Sequence, residues 1–325
     1  MSGPWGAARL GLAGVALFSM GFLLRAGTMS TEAAFSAATG NLANSVAAAA
    51  DWVAPSGAPV AIGKTAGGAT GAIRSGATYY VYANATDTGN PASGVASVTA
   101  DVNTITAGQT AVALAAGSFT ANGVAYNRRS ASVTAGASAD ATRAFSLSLT
   151  DLNTPTANNR IQTGFSVAID TTAPTAADVQ PQNGGATLGR AEAGDTISYT
   201  FSQAIDPNSV LAGWTGSSTP VTLRIANSGS NDIVTIRDAA NTVALTLGST
   251  TLAGNHVAAT QNFTSSTMVM SGSTITVTIG GAATTTTVAA NATATWTPVN
   301  TATDVAGNAM STTARAETGA ADPNF

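Results

Sequence analysis

The sequence contains no cysteine, one histidine and very few charged residues. The absence of cysteine excludes disulfides, thiolate catalysis, Cys-ligated zinc and iron–sulfur clusters. Only 9% of the 325 residues are charged and the formal net charge is -4. The chain therefore lacks both the basic footprint of a nucleic-acid-binding protein and a polybasic membrane patch. Arg128 and Arg129 form the only basic doublet, which we expect to be a solvated pair on an exposed strand face.

A recognisable catalytic constellation is also missing from the sequence. His256, the only histidine, lies in a segment that predicts a loop entering a strand, where a surface or half-buried histidine is expected. No Gly-x-Ser-x-Gly motif is present. Glu192 and Glu317 are the only glutamates beyond residue 34, and most aspartates lie in predicted turns, so a glycosidase carboxylate pair is not indicated. We therefore expect no enzyme activity, no catalytic residues and no cofactor.

The sequence is instead rich in short stretches that alternate between apolar and polar residues, a pattern typical of strands with one buried face. Residues 164–174, which we call the seam, show it most clearly. There Phe165, Val167 and Ile169 are predicted to face the core. The strand cannot continue to Pro174, because proline has no backbone N–H and disfavours helix in the residue before it. We expect the seam to end one β-domain and lead into the next.

The same alternation predicts further strands on both sides of the seam. The predicted inward-facing residues are Ala96, Val98, Ala100, Val102, Phe145, Leu147, Leu149, Ile197, Tyr199, Phe201, Val221, Leu223, Ile225, Val243, Leu245, Leu247, Ile275, Val277, Ile279, Ala292, Ala294 and Trp296. Trp214 and Trp296 are the expected core anchors of the second half. Short strands separated by turn signals, without helical periodicity, predict antiparallel β-sandwiches.

The N-terminal residues predict export. Arg9 precedes an apolar run at residues 10–24 that is ended by Arg25, a length and flanking pattern that fit a secretory signal; the alternative is an uncleaved N-terminal anchor. Small residues before Phe35 predict cleavage between Ala34 and Phe35, and a second run of small residues at 47–50 offers an alternative cleavage point. We therefore expect the protein to be secreted to the extracellular space or the cell surface, with no membrane contact after processing.

The residues around this cleavage point carry a family resemblance. Thr-Glu-Ala-Ala-Phe-Ser at 31–36, Gly-Asn at 40–41 and Asn-Ser-Val at 44–46 resemble the start of Gram-positive proteins with a SipW-dependent-type signal, the TasA/camelysin-like matrix group. The resemblance implies an extracellular matrix protein and self-association, in which residues 35–51 pair as a strand with a neighbour's sheet edge. The alternatives are that this segment is a disordered leader or the first strand of its own domain. The peptidase activity described for camelysin-like proteins is not implied, because His-Glu-x-x-His is missing.

Both halves of the remaining chain carry a second resemblance. Residues 79–87, 94–101, 126–130 and 169–174 resemble bacterial Ig-like domains of actinobacterial surface proteins. Residues 194–202, 205–211, 213–214 and 304–308 resemble Ig-like domains of S-layer and other surface proteins. The resemblance covers most of the chain but implies fold and compartment more than function.

These observations predict an all-β protein with two antiparallel Ig-like β-sandwich domains in series after an N-terminal signal helix. The predicted segments are a signal peptide at 1–34, a leader at 35–53, domain 1 at 54–172, domain 2 at 173–318 and a frayed tail at 319–325. The predicted function is a non-enzymatic structural or adhesive protein of the cell surface or extracellular matrix. Its partners are expected to be copies of itself or a cell-wall component, and not nucleic acid.

The alternative function is a glycan- or cell-wall-binding module, which requires exposed aromatic side chains along a groove. The candidates for that role are Tyr79, Tyr80, Tyr82, Tyr126 and Trp214. Strand context offers most of them a core position instead.

Three aspartates are candidate calcium ligands, although the metal prediction is none. Asp87, Asp151 and Asp304, together with Asp206, stand in predicted loops with the oxygen-rich neighbours that hard cations prefer. No dense Asp-x-Asp-x-Asp spacing accompanies them, and aspartate also favours turns because its side chain bonds the local backbone. Lys64, the sole lysine, is expected to be exposed, because its Gly- and Thr-rich surroundings lack a buried apolar pattern.

Overall fold

The computed structural model describes residues 51–64, 67–281 and 283–325. The predicted signal peptide, the cleavage step between Ala34 and Phe35 and the leader up to residue 50 lie outside the described residues. Within these ranges the chain forms eighteen strands and one single-turn helix, so the prediction of an all-β protein is confirmed. None of the helical structure in these ranges is long and apolar enough to cross a membrane.

Nine strands from the first half of the chain form one sheet. They are β1 (Ser56–Gly63), β2 (Ala72–Ile73), β3 (Thr78–Thr86), β4 (Val95–Asp101), β5 (Val112–Ala121), β6 (Val124–Ser130), β7 (Val133–Thr134), β8 (Ala141–Asp151) and β9 (Asn159–Ile169). Their order is β1-β3-β6-β5-β4-β8-β9-β2, with β7 pairing β3. The pair β2–β9 is parallel, with Ala72 opposite Ala168, because the intervening strands provide the long crossover that parallel pairing needs.

Nine strands from the second half form the other sheet. They are β10 (Ala176–Gln182), β11 (Thr196–Phe201), β12 (Thr219–Ala226), β13 (Ile233–Asp238), β14 (Ala244–Thr251), β15 (Gln261–Ser271), β16 (Thr274–Thr278), β17 (Thr295–Thr297) and β18 (Arg315–Ala316). Their order is β10-β11-β16-β15-β12-β13-β14-β17-β18, and neighbouring strands pair antiparallel.

The second sheet curls back on itself. Asp178 in β10 accepts a hydrogen bond from the Thr318 backbone N–H at 2.9 Å, and Gln180 donates to the Thr318 carbonyl at 2.7 Å. The two ends of the sheet therefore approach one another, and both sheets are barrel-like rather than clearly divided into two-layered sandwiches. Alternation along one strand predicts which side chains are buried, but it does not predict which strands pair across the sheet.

The core of the second half is built around the two predicted tryptophan anchors, which are both buried. The Trp296 ring meets Phe201 edge-on at 5.0 Å and Tyr199 at 5.1 Å between ring centroids, and its indole N–H donates to the Leu247 carbonyl at 2.6 Å. The Trp214 indole N–H donates to the Ser217 carbonyl at 2.6 Å. Each anchor thus combines a large apolar contact with a satisfied donor, as buried tryptophans require.

Most of the predicted inward-facing residues are buried, with four exceptions. Phe165 and Ala292 are only partly buried and Ala96 is exposed. Val243 is 63% exposed, because the Asp238 carboxylate accepts bonds from the Thr242 and Val243 backbone N–H groups and holds this segment as a turn before β14 begins. The prediction for Val243 was wrong because the apolar–polar alternation of β14 extends back into this turn, which contains no glycine or proline.

The single helix, α1 (Pro207–Val210), was not predicted. Asp206 is its N-cap and accepts a hydrogen bond from the Asn208 backbone N–H at 3.1 Å, while proline occupies the first helical position. Aspartate followed by proline is a typical helix start, so the signal for this turn was present in the sequence.

The described chain divides into two compact units. The smaller unit combines the described part of Met1–Ser56 with Thr86–Ala96 and Leu149–Arg160. The larger unit contains Gly57–Ala85, Ser97–Ser148 and Ile161–Phe325, and the seam lies wholly inside it. The predicted domain boundary at residues 172 and 173 stays a prediction.

Replacing Phe201 by alanine should lower the free energy of unfolding by roughly 3–5 kcal/mol, because a cavity remains beside Trp296. Val243→Ala removes apolar atoms from an exposed side chain and should change the free energy of unfolding by less than about 0.5 kcal/mol. Urea unfolding of both variants tests this. Equal effects of the two substitutions would contradict the burial of the β11 face.

Candidate functional site

The end of the seam is held by an aspartate from the first half of the chain. Asp140 accepts hydrogen bonds from the Thr171 backbone N–H at 2.7 Å and from the Thr172 hydroxyl at 3.0 Å. Bonds from the Thr171 hydroxyl and N–H lower the pKa of the Asp140 carboxyl, because they favour its ionised form.

Side chains of the second half hold the same segment. The Asn308 amide donates to the Asp170 carbonyl at 3.1 Å, and the Gln203 amide donates to the Thr172 carbonyl at 2.8 Å. Further on, the Ser311 backbone N–H donates to the Pro174 carbonyl at 2.9 Å. The connection between the halves is therefore fixed by hydrogen bonds rather than free.

Asp304 positions the two amides that bind the seam. Its Oδ2 accepts from the Gln203 amide at 2.6 Å and from the Asn308 amide at 2.8 Å. Its Oδ1 accepts from the backbone N–H groups of Gly307 at 2.6 Å and Asn308 at 2.8 Å. Both oxygens of this calcium candidate are thus occupied by protein donors.

Lys64, which we expected to be exposed, packs against this turn and is partly buried, with 10% of its side chain accessible. Its ammonium lies 2.9 Å from Asp206 Oδ2, 2.7 Å from the Asp304 carbonyl and 3.2 Å from the Thr303 hydroxyl. The expectation failed because all three acceptors come from the second half of the chain and are invisible to the local sequence. Three acceptors match the three donors of an ammonium.

We call Lys64, Asp206, Thr303 and Asp304 the Lys64 latch. Asp206 serves it twice, since one carboxylate oxygen caps α1 and the other pairs with the ammonium. Gly307 permits the close approach of the lysine stem, because a Cβ there would lie 3.3 Å from Lys64 Cδ and the residue has φ +98°. The latch joins the end of β1 to α1 within the larger unit.

The other two calcium candidates meet in the smaller unit, beside Asp51, which sequence reasoning did not single out. The Ser93 hydroxyl lies 2.8 Å from Asp51 Oδ2 and 3.3 Å from Asp87 Oδ2. Asn158 donates from its backbone N–H and its side chain to Asp151 at 2.7 Å and 2.6 Å. The Asn158 amide also donates to the Asp51 carbonyl at 2.8 Å.

These carboxylates are stabilised by protein hydrogen bonds. The Val53 N–H, followed by the Ser93 N–H, lowers the pKa of Asp51. Burial opposes ionisation of Asp151, but bonds from Asn158 and Asn153 outweigh it and lower its pKa. In the described ranges no group of three or more His, Cys, Asp or Glu residues is arranged to hold a metal ion. Asp87, Asp151 and Asp304 each accept a hydrogen bond from a nearby backbone N–H, that of Gly94, Asn158 and Gly307 respectively, as aspartates in turns commonly do.

His256 is fully buried rather than at the surface. Neither ring nitrogen has a hydrogen-bond partner among the described residues, and the ring meets Phe325 edge-on at 5.5 Å. Burial lowers the pKa of the imidazole, an effect that the nearby Asp232 partly opposes. A proton relay needs a bonded and accessible histidine, so this geometry does not suit a general base.

The segment 319–325, which we expected to fray, packs back onto the second half. Asp322 and Ala292 exchange backbone hydrogen bonds, and Phe325 is 1% exposed beside His256. The Gly189 backbone N–H donates to the Phe325 carbonyl. We expected fraying because residues 319–325 are mostly polar, but burial of the apolar Phe325 ring stabilises their packing.

Glu317 holds the start of this segment. Its Oε2 accepts from the Ala294 backbone N–H at 3.1 Å, whereas its Oε1 is buried and has no partner among the described residues. Burial raises the pKa of Glu317 to about 7, and the nearby Asp322 and Asp178 contribute in the same direction.

The aromatic residues proposed for glycan binding are mostly internal. Tyr79 and Tyr82 are fully buried, and Tyr126 and Trp214 are 5% and 6% exposed. That part of the alternative prediction is wrong, because strand alternation places these rings in the core. Tyr80 alone of the five is partly exposed.

Comparison with known proteins assigns no family to this arrangement. No protein-family model, no functionally characterised protein and no solved structure matches the chain.

Replacing Lys64 by methionine should lower the free energy of unfolding by about 3–5 kcal/mol, because Asp206 becomes a buried charge without its cation. The double variant Lys64→Met/Asp206→Asn should recover most of this loss, since asparagine still caps α1. Urea unfolding measures both. Wild-type stability of Lys64→Met would show that the ammonium is not held in the latch.

Glu317→Gln should change how stability depends on pH. In the folded protein the Glu317 pKa is raised, so its stabilising contribution is present below about pH 4.5 and is lost as pH rises through about 7. The variant should therefore melt close to wild type at pH 4.5 and above it at pH 8. His256 contributes to the pH dependence of stability in the opposite direction, but it does so equally in both proteins and cancels from the comparison. An identical pH dependence of the two melting temperatures would contradict the raised pKa.

Proposed function

We propose that this chain is an exported, non-enzymatic structural or adhesive protein of the cell surface or extracellular matrix, built from two Ig-like domains in series. The observation that carries the proposal is the use of its few chemistry-bearing side chains. Lys64 is consumed in the latch, Asp304 positions the amides at the seam, and His256 lies buried without a hydrogen-bond partner among the described residues. Side chains that are bonded or buried in this way stabilise a scaffold and are not available to bind a substrate.

The sequence supports the compartment. The apolar run at residues 10–24 and the small residues before Phe35 fit a cleaved secretory signal. Threonine, serine and glycine cover the strand faces, and low charge with no cysteine is compatible with an extracellular β-protein that has a sufficient core of its own.

Cell fractionation followed by N-terminal sequencing tests the proposal. The processed chain should begin at Phe35 and appear in the medium or the cell-wall fraction. Cells lacking the protein should attach to surfaces less well, and re-expression of the wild type or of the surface variant Val243→Ala should restore attachment. Recovery of the chain from the cytoplasm with Met1 intact, or unaltered attachment after deletion, would contradict it.

A further inference from the structure

Arg129 in β6 does not behave as the solvated strand arginine that we expected. Its guanidinium carbon lies 4.5 Å from the centroid of the Phe119 ring and 5.2 Å from that of Tyr80. The three side chains, which come from β5, β3 and β6, are each partly exposed. We call them the Arg129 platform. Contact with two rings fixes the plane of the guanidinium through cation–π attraction.

The hydrogen-bonding capacity of this guanidinium remains unused. In the part of the chain that the structure describes, the Arg129 side chain makes no hydrogen bond and no ion pair to another residue. A guanidinium carries five N–H donors in a fixed fork. The platform therefore presents an oriented set of donors whose rotational freedom is already restricted, which lowers the entropic cost of binding an acceptor.

The local charge favours an anionic partner. Strands β3, β5 and β6 contain Arg128 and Arg129 but no aspartate or glutamate. The protein as a whole has a formal net charge of -4, so the charge of these three strands is opposite in sign to that of the whole protein. A planar carboxylate matches the guanidinium fork and can accept two parallel hydrogen bonds from it.

The sheet topology favours a glycan over a peptide as the bearer of that carboxylate. At Arg129 the sheet has no free edge, because this residue lies opposite Tyr82 in β3 and opposite Ala115 in β5. An extended peptide that adds a strand needs a free edge, which this face does not offer. Recognition there must come from side chains, and the exposed parts of Tyr80 and Phe119 offer apolar surface for the C–H groups of a sugar ring.

We propose that the Arg129 platform binds the uronic acid residues of an acidic polysaccharide. The sugar carboxylate accepts from the Arg129 fork, and the sugar ring rests against Tyr80 or Phe119. This partner goes beyond the structural role proposed above, and its binding is measured on the purified chain regardless of where the cell places it.

Isothermal titration of the full-length chain with polygalacturonate at low salt tests the proposal, with neutral dextran and polyglutamate as comparison polymers. Polygalacturonate should bind, and binding should weaken as salt is added, whereas dextran should not bind. Arg129→Gln should weaken binding at least tenfold, and Arg129→Lys should weaken it less, because charge remains while the fork is lost. Arg160→Gln removes the same charge from an exposed residue and should leave affinity unchanged.

Phe119→Leu keeps apolar bulk but removes one ring from the platform, and it provides a second variant if Arg129→Gln does not fold. It should weaken binding severalfold while its melting transition stays cooperative. Absence of polygalacturonate binding by the wild type, or equal losses in Arg129→Gln and Arg160→Gln, would overturn the site. Equally tight binding of polyglutamate would overturn the assignment to a glycan.

Discussion

The ammonium of Lys64 organises the contact between the two halves of the larger unit. Burying a lysine charge is costly unless acceptors surround it, and Lys64 finds three of them in the Lys64 latch. Its position requires Asp206 at the cap of α1 and the turn that contains Asp304. The Asp304 carboxylate orients the Gln203 and Asn308 amides, and these amides donate hydrogen bonds to the seam. Removal of one charge thus disturbs a continuous set of hydrogen bonds.

In the described part of the chain, several side chains that could serve catalysis or metal binding instead make hydrogen bonds within the protein. Carboxylates that suggested calcium ligands accept hydrogen bonds from nearby backbone N–H groups and amides, as Asp151 does from Asn158. The resulting protein is stabilised by turns and by two curled sheets. Arg129 differs from these residues, because its donors remain free among the described residues while its plane is fixed by two rings.

Local patterns in the sequence predicted the strands well and the long-range contacts poorly. Alternation placed Phe201 and Val277 in the core correctly, because a half-buried strand must repeat every two residues. Val243 was placed wrongly, since a turn stabilised by Asp238 interrupts the strand. The environment of Lys64 could not be predicted, because its acceptors are far away in the sequence. The start of α1 at Asp206 and Pro207 could have been recognised from its capping residues.

The central claim is that the latch and the seam make the two halves of the larger unit unfold together. Native-state hydrogen exchange measures this directly, using the backbone amides of the buried residues Leu147 in the first sheet and Val277 in the second. Both amides should report the same free energy of opening, and both values should fall in parallel as denaturant is added. Two distinct opening free energies, with one sheet exchanging while the other stays protected, would contradict the account.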